Sequence, residues 1–163
     1  MKKVLIISAS DSEIDTMKEA GKVLEEFGVE YELTISSAHR SPERTIALVD
    51  KAKVDGIKVI ICGAGLAAHL AGVVAAHFPL PVIGIPLKSG PLAGVDALLA
   101  TMQMPTGIPV ATVGIDNAKN AGLLAIQVLA TSDKSLEDKL IEYKKKLASG
   151  VEEKARKLAD GSN

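Results

Sequence analysis

The stretch Ile35-Ser36-Ser37-Ala38-His39-Arg40-Ser41-Pro42 joins an extended run, Tyr31 to Ile35, to a helical pattern, Glu43 to Lys53. Pro42 suits the first turn of a helix, because its missing N–H has no helical partner there, and Ser41 before it suits the N-cap. Ser37, His39 and Arg40 are therefore expected on a tight loop between a strand end and a helix start. Backbone N–H groups and the helix dipole favour an anion at such a place. A hydroxyl, an imidazole and a fixed cation this close together suit phosphate binding and proton transfer. A capped turn with a solvated arginine would use the same residues.

The same strand–loop–helix alternation extends both ways along the 163 residues. Val4 to Ser8 is a continuous apolar run of the kind buried on both sheet faces. Ser12 and Asp15 have capping-box spacing, and Ile14, Met17, Val23, Leu24 and Phe27 follow a helical period that Gly28 closes. The second helix carries Ile46, Leu48, Val49, Ala52 and Val54 and ends at Gly56. Ile57 to Cys62 reads as the third strand, Gly63 to Leu66 as a flexible turn, and Ala67 to His77 as a small-residue helix. Pro81 to Pro86 is the fourth strand, Leu92 to Met102 a helix, Ile108 to Ile115 the fifth strand, and Asn117 to Thr131 an Ala/Leu-rich helix. This alternation predicts an α/β fold: a three-layer α/β/α sandwich with a central parallel sheet, flavodoxin-like or Rossmann-like. Ligands of such sheets bind at the carboxyl ends of the strands. There the loops Ser8–Glu13, Ser36–Ser41, Gly63–His69, Pro86–Pro91 and Ile115–Asn117 are expected to gather.

A single domain over 1–163 is expected, with a sandwich core over 1–131 and a helical extension over 133–160. Leu136, Leu140, Tyr143, Leu147 and Val151 make one stripe on that extension. Between Ile57 and Thr131 charges are few and Ala and Gly many, which is more apolar surface than a domain of this size hides alone. A homo-oligomer is the expectation, with the C-terminal helix packing on a neighbouring subunit; its alternative is a helix lying on its own subunit.

Composition narrows the function classes. Net charge is −1 and aromatics are 2%, with no Trp, so neither a basic field nor a stacking platform for nucleic acid is present. The one cysteine, Cys62, excludes an intrachain disulfide and any multi-cysteine metal site, and reads as core. No apolar run reaches membrane-spanning length, and the run after Lys2-Lys3 has only strand length; a cytoplasmic location is the expectation. A phosphoryl-accepting receiver domain would need Asp where Cys62 stands and Lys where Ile115 stands, and a flavin module would need aromatics.

His39 is the candidate for proton transfer. His69 opens the small-residue helix and faces the same cleft or serves packing; His77 reads as structural. Ser10, Asp11, Ser12 and Glu13 follow the first strand and could hold a phosphate or a sugar diol, although capping would explain two of them. Gly63 and Gly65 let backbone approach a ligand, but position 68 is Ala, so the dinucleotide pattern Gly-x-Gly-x-x-Gly is absent.

Taken together, Ser10-Asp11-Ser12, Ser37-Ala38-His39-Arg40, Gly63 to Leu70, Pro81 to Pro86, Gln103-Met104-Pro105 and Asn117 to Leu124 resemble the N5-carboxyaminoimidazole ribonucleotide mutase family, the catalytic-subunit type of phosphoribosylaminoimidazole carboxylase. The resemblance covers roughly residues 3 to 131. It implies a homo-octamer with no metal or organic cofactor, a small ribonucleotide substrate, and transient coupling to the ATP-dependent carboxylating synthetase of the preceding step. It implies that the carboxylate moves from the exocyclic nitrogen to ring carbon C4 by decarboxylation and recarboxylation. His39 would be the catalytic group. Ser10, Ser37 and Arg40 would hold the 5′-phosphate, and Glu13, with Asp11 sharing the task, the ribose hydroxyls. Ser12, Gly65 and His69 would line the carboxylate and base end. Glu13 stands where the family has Asp, Leu66 where it has Gly, Ala71 where it has Pro, and Leu87 to Ala93 also departs from the common form. Two alternatives remain: a carboxylase using free CO2, whose usual Ser-Ala-His-Lys is disfavoured by Arg40, and a non-catalytic nucleotide-binding paralogue.

Overall fold

A computed structural model describes residues 1–161. Five parallel strands, β1 (Val4–Ser8), β2 (Tyr31–Ile35), β3 (Val59–Gly65), β4 (Val82–Leu87) and β5 (Ala111–Thr112), lie in the order β2-β1-β3-β4-β5. Six α-helices complete the fold: α1 (Ile14–Phe27), α2 (Pro42–Val54), α3 (Leu70–His77), α4 (Val95–Met102), α5 (Ala118–Ala130) and α6 (Lys134–Ala159). This is the flavodoxin-like strand order of a doubly wound sheet. Among the described residues no helix is long and apolar enough to cross a membrane.

The period-2 geometry of β1 divides the core into two layers. Val4 and Ile6 face Met17, Leu24, Phe27 and Ile126 of α1 and α5. Leu5 and Ile7 face Val49, Ala52, Leu70 and Val74 of α2 and α3. All five residues of β1 are buried, as expected of a central parallel strand covered on both faces.

Several elements differ from the sequence expectations. A 3-10 turn, Asp11–Glu13, precedes α1 with no side-chain cap at Glu13; the hydroxyl of Ser12 bonds that of Ser10 at 2.9 Å, while Asp15 pairs with Lys18, so the capping box does not form. β3 runs on to Gly65, because Gly63, Ala64 and Gly65 pair with Ile85, Pro86 and Leu87; the expected flexible turn shrinks to the residues from Leu66 onward. The small-residue helix starts at Leu70, and His77 at its end is exposed and lies away from the carboxyl edge. α4 starts only after the left-handed residues Ala93 and Gly94. β5 contracts to two residues: Pro109 has no N–H for a ladder, and left-handed Asp116 ends the run. On α2, Ile46 and Val54 face solvent, and Thr45, Val49 and Ala52 take the buried side.

The first half of α6 lies on its own chain. Leu136 and Leu140 join the core, Tyr143 packs against Phe27 with ring centroids 5.8 Å apart, and Lys139 Nζ donates to Phe27 O at 2.8 Å, satisfying a carbonyl at the end of α1. Leu147, Val151 and Leu158 are exposed beyond the body.

The α1–α5 crossing is tight: a Cβ on Gly122 would lie 2.8 Å from Ala20 O and 2.9 Å from Val23 Cβ. Gly122→Ala therefore opposes about 1–3 kcal/mol of overpacking to about 1 kcal/mol of helix propensity. The expected outcome is a lower urea midpoint with unchanged m-value; an unchanged or higher midpoint would show that the crossing has slack.

Candidate functional site at the carboxyl edge of the sheet

β1 pairs with β2 on one side and β3 on the other, and their chains leave the sheet in opposite directions at this point. That reversal opens a crevice at the carboxyl edge. A cleft of about 570 Å³ occupies it, lined by Ser10, Asp11, Ser12, Glu13, Ser37, His39, Arg40, Gly65 and His69, together with Ala38, Leu66 and Ser89. The nine candidate site residues thus border one cavity, whereas Gly63, the other glycine expected to approach a ligand, does not.

The first wall follows β1. Ser8, fully buried, donates its hydroxyl to Ser10 O at 2.8 Å, which turns the chain out of the strand. Ser10 Oγ then lies 2.9 Å from both Ser12 Oγ and Glu13 Oε2. The longer arm of Glu13 folds back through this bond, and its Oε1 lies over Gly65, 3.0 Å from where a Cβ would stand. Asp11 is exposed at the rim.

The second wall is the loop after β2, wired by hydroxyls. Ser36 Oγ meets Thr45 Oγ1 at 2.8 Å in a buried contact, and Thr45 Oγ1 donates to Ser41 O at 3.2 Å. Ser41 Oγ accepts from Ser37 N–H at 3.0 Å and donates to Ser37 O at 3.1 Å, and Ser37 Oγ accepts from Arg40 N–H at 3.1 Å. Ser41 is the N-cap residue with Pro42 behind it, but its side chain closes the loop instead of capping α2. The result is a rigid turn with His39 and Arg40 exposed at its tip. Arg44 differs: its guanidinium donates to Ile35 O at 3.0 Å and Thr34 Oγ1 at 3.2 Å, holding the end of β2. Arg40 is therefore the cation presented to a ligand. Its planar fork suits phosphate oxygens.

The floor comes from the end of β3. Leu66 has φ of 54°, and His69 sits at the N-cap of α3. His69 Nδ1 lies 2.9 Å from His39 Nε2, with the rings edge to face at 85°. One of these nitrogens must carry a proton and the other must not, so the pair shares a proton along this line. Two imidazoles so joined can give and take protons at a ligand placed over them. Below the floor, complete burial pushes the Cys62 thiol far above its ordinary range, so a thiolate nucleophile is not part of the site. Among the described residues no group of three or more His, Cys, Asp or Glu side chains could hold a metal ion.

The loop Ile115–Asn117 does not border the cleft. Asp116 instead accepts from Lys88 N–H at 2.8 Å and so fixes the neighbouring turn. That turn contributes Ser89, which the sequence reading did not single out. Its signal was its position: a hydroxyl before Gly90-Pro91 on a loop already expected at this edge.

A sequence model of the AIR carboxylase family matches residues 3–150. A Pyrococcus horikoshii protein named N5-carboxyaminoimidazole ribonucleotide mutase is 56% identical over 155 residues, 95% of this chain and 88% of that protein. A Thermotoga maritima protein of the same name is 51% identical over 158 residues, 97% of this chain and 92% of that protein. Among solved structures, that of Treponema denticola PurE aligns with a TM-score of 0.88 at 31% identity, covering 95% of this chain and 97% of the other.

Leu66 tests how the floor is held. A left-handed non-glycine residue costs about 1–2 kcal/mol, and glycine returns about 0.5–1 kcal/mol of that as chain entropy. Leu66 is half exposed, so Leu66→Gly forfeits little burial. The expected outcome is a melting temperature higher by about one to four degrees; a lower one would show that the Leu66 side chain stabilises the floor more than its backbone strains it.

Proposed function

The chain belongs to the AIR carboxylase family, and from that membership we propose that it is an N5-carboxyaminoimidazole ribonucleotide mutase of purine biosynthesis, an isomerase that moves a carboxylate from the exocyclic nitrogen to C4. The observation that carries the proposal is the 2.9 Å contact of His39 with His69 in a cleft that also presents Arg40 and the serines at 10, 12 and 37.

In the proposed reaction Arg40, Ser10 and Ser37 hold the 5′-phosphate, and Glu13 accepts hydrogen bonds from the ribose hydroxyls, with Asp11 at the rim beside it. Ser12, Gly65 and His69 line the carboxylate and base end. The bond from nitrogen to carboxylate breaks, its electron pair stays on nitrogen, and His39 supplies the proton that neutralises the amine. CO2 and aminoimidazole ribonucleotide remain side by side. Ring carbon C4 attacks CO2, a carbon–carbon bond forms, and His39 takes the C4 proton, which restores the aromatic ring. The proton given equals the proton taken, so the cycle closes without outside acid or base. Holding CO2 against C4 supplies an effective concentration that free CO2 lacks. No cofactor has a step in this scheme.

The proposal extends to one folding unit over 1–163 and to a homo-octamer. Leu92, Val95, Leu99 and Met102 are all exposed on the outer side of α4 and the turn before it, and the distal half of α6 carries Leu147 and Val151 outward. Asp96 Oδ1, beside that α4 surface, is buried with no hydrogen-bond partner among the described residues. A cytoplasmic location and transient coupling to the preceding carboxylating synthetase complete the picture.

Assay of the purified protein on carboxyaminoimidazole ribonucleotide and on unsubstituted aminoimidazole ribonucleotide, with and without bicarbonate, tests the activity. Turnover of the first without bicarbonate is expected. Turnover of the second alone would make the chain a carboxylase, and turnover of neither would make it a binding protein. His39→Asn is expected to lower kcat by about 10²–10⁴-fold while ligand affinity is retained.

Light scattering at micromolar concentration is expected to give eight chains of 17.0 kDa. A monomer would reject the octamer and leave the exposed face of α4 without an explanation.

A further inference from the structure

Four serines border the cleft: Ser10, Ser12, Ser37 and Ser89. Three are engaged. Ser10 bonds Ser12 and Glu13, and Ser37 accepts from the Arg40 N–H. The half-buried Ser89 hydroxyl has no protein partner among the described residues.

Its backbone is nonetheless held on both sides. Lys88 N–H donates to Asp116 Oδ1 at 2.8 Å, and Asp116 N–H donates to Pro86 O at 2.9 Å. Beyond Ser89, Gly90 turns with φ of 67° against Leu66, whose Cδ2 would lie 2.7 Å from a Cβ there. A fixed backbone carrying an unpartnered hydroxyl into a cleft is ready to bind without reordering.

The position of that hydroxyl indicates what it meets. A Cβ on Gly65 would lie 2.8 Å from Ser89 Cβ and 3.0 Å from Glu13 Oε1. Ser89 and the free oxygen of Glu13 thus flank one point above the end of β3. Glu13 Oε2 already takes the Ser10 hydroxyl, which leaves Oε1 as an acceptor over the same glycine as Ser89. Two adjacent sugar hydroxyls match such a pair: one donates to the carboxylate, and the other exchanges a hydrogen bond with the serine. A second anion beside Glu13 would be repelled.

We propose that Ser89 is a substrate-positioning and specificity-determining residue that, with Glu13, reads the vicinal diol of a ribonucleotide and discriminates against deoxyribose. This rests on the ribonucleotide reading of the cleft proposed above.

The test is calorimetric binding of aminoimidazole ribonucleotide and of its 2′-deoxy and 3′-deoxy counterparts to the full-length protein, beside a turnover assay of the wild type. For the wild type, at least one deoxy form is expected to bind about 3- to 10-fold more weakly than the ribo form, the effect of one neutral hydrogen bond. Ser89→Ala is expected to weaken the ribo form by a similar factor and to leave that deoxy form unchanged. Ser89→Thr, which keeps the hydroxyl, is expected to restore the discrimination and controls for a folding defect in the alanine variant. Equal weakening of all three nucleotides, or no change in any, would overturn the assignment of Ser89 even with wild-type turnover intact. A wild type that neither turns over nor binds the ribo form would overturn the function itself, and the diol assignment with it.

Discussion

The placement of β1 between β2 and β3 is the constraint from which the site follows. A parallel strand in mid-sheet needs helices on both faces, and its two neighbours must be reached by crossovers that go opposite ways. At β1 the chain therefore parts, and the residues leaving β1, β2 and β3 cannot cover the gap with regular structure. The pairing of Ser8 with both Ile35 and Gly63 sets the depth of that gap. Everything that could handle a ligand hangs from those three strand ends, with the turn after β4 closing the far side.

What keeps the gap from collapsing is polar wiring at its margins. On β1 the apolar core stops one residue below Ser8, at Ile7. Above it, Ser8, Ser36 and Thr45 are buried hydroxyls, and each has a partner. Buried hydroxyls left unpaired are costly, so these bonds specify one loop shape rather than several. The price of that order is visible in the backbone: Leu66, Ala93 and Asp116, non-glycine residues with left-handed φ, all lie on segments that follow β3, β4 and β5. Strain of this kind persists where surrounding contacts over-determine the conformation, and it gathers at functional edges.

Much of this could be read along the chain. β1, β3 and β4 are uninterrupted apolar runs, and α1 has a clean 3.6 period, so the layer order followed from local pattern. Errors came where two local rules competed. Ile108 to Ile115 has the composition of a strand, yet Pro109 removes the ladder donor, and only Ala111 and Thr112 pair. Ser12 and Asp15 had cap spacing, but the nearer hydroxyl of Ser10 engages Ser12 first. The nine candidate residues that line the cleft were legible because they fall at strand ends with unusual chemistry. The contact of His39 with His69, thirty positions apart, and the approach of Ser89 to Gly65 were not, because they depend on how two loops lean across the crevice. No periodicity encodes that.

The contraction of β5 has a consequence for how copies of this chain can meet. An open sheet ends in two unpaired backbone edges, and a long one invites another molecule to extend the ladder, the route to fibrils. Here one margin exposes only Ala111 and Thr112, and at the other, β2 carries the charged Glu32, paired with Lys2, within its length. Templated growth through main-chain bonds is thereby discouraged on both flanks. Any association of copies is thereby left to side-chain surfaces on the helices.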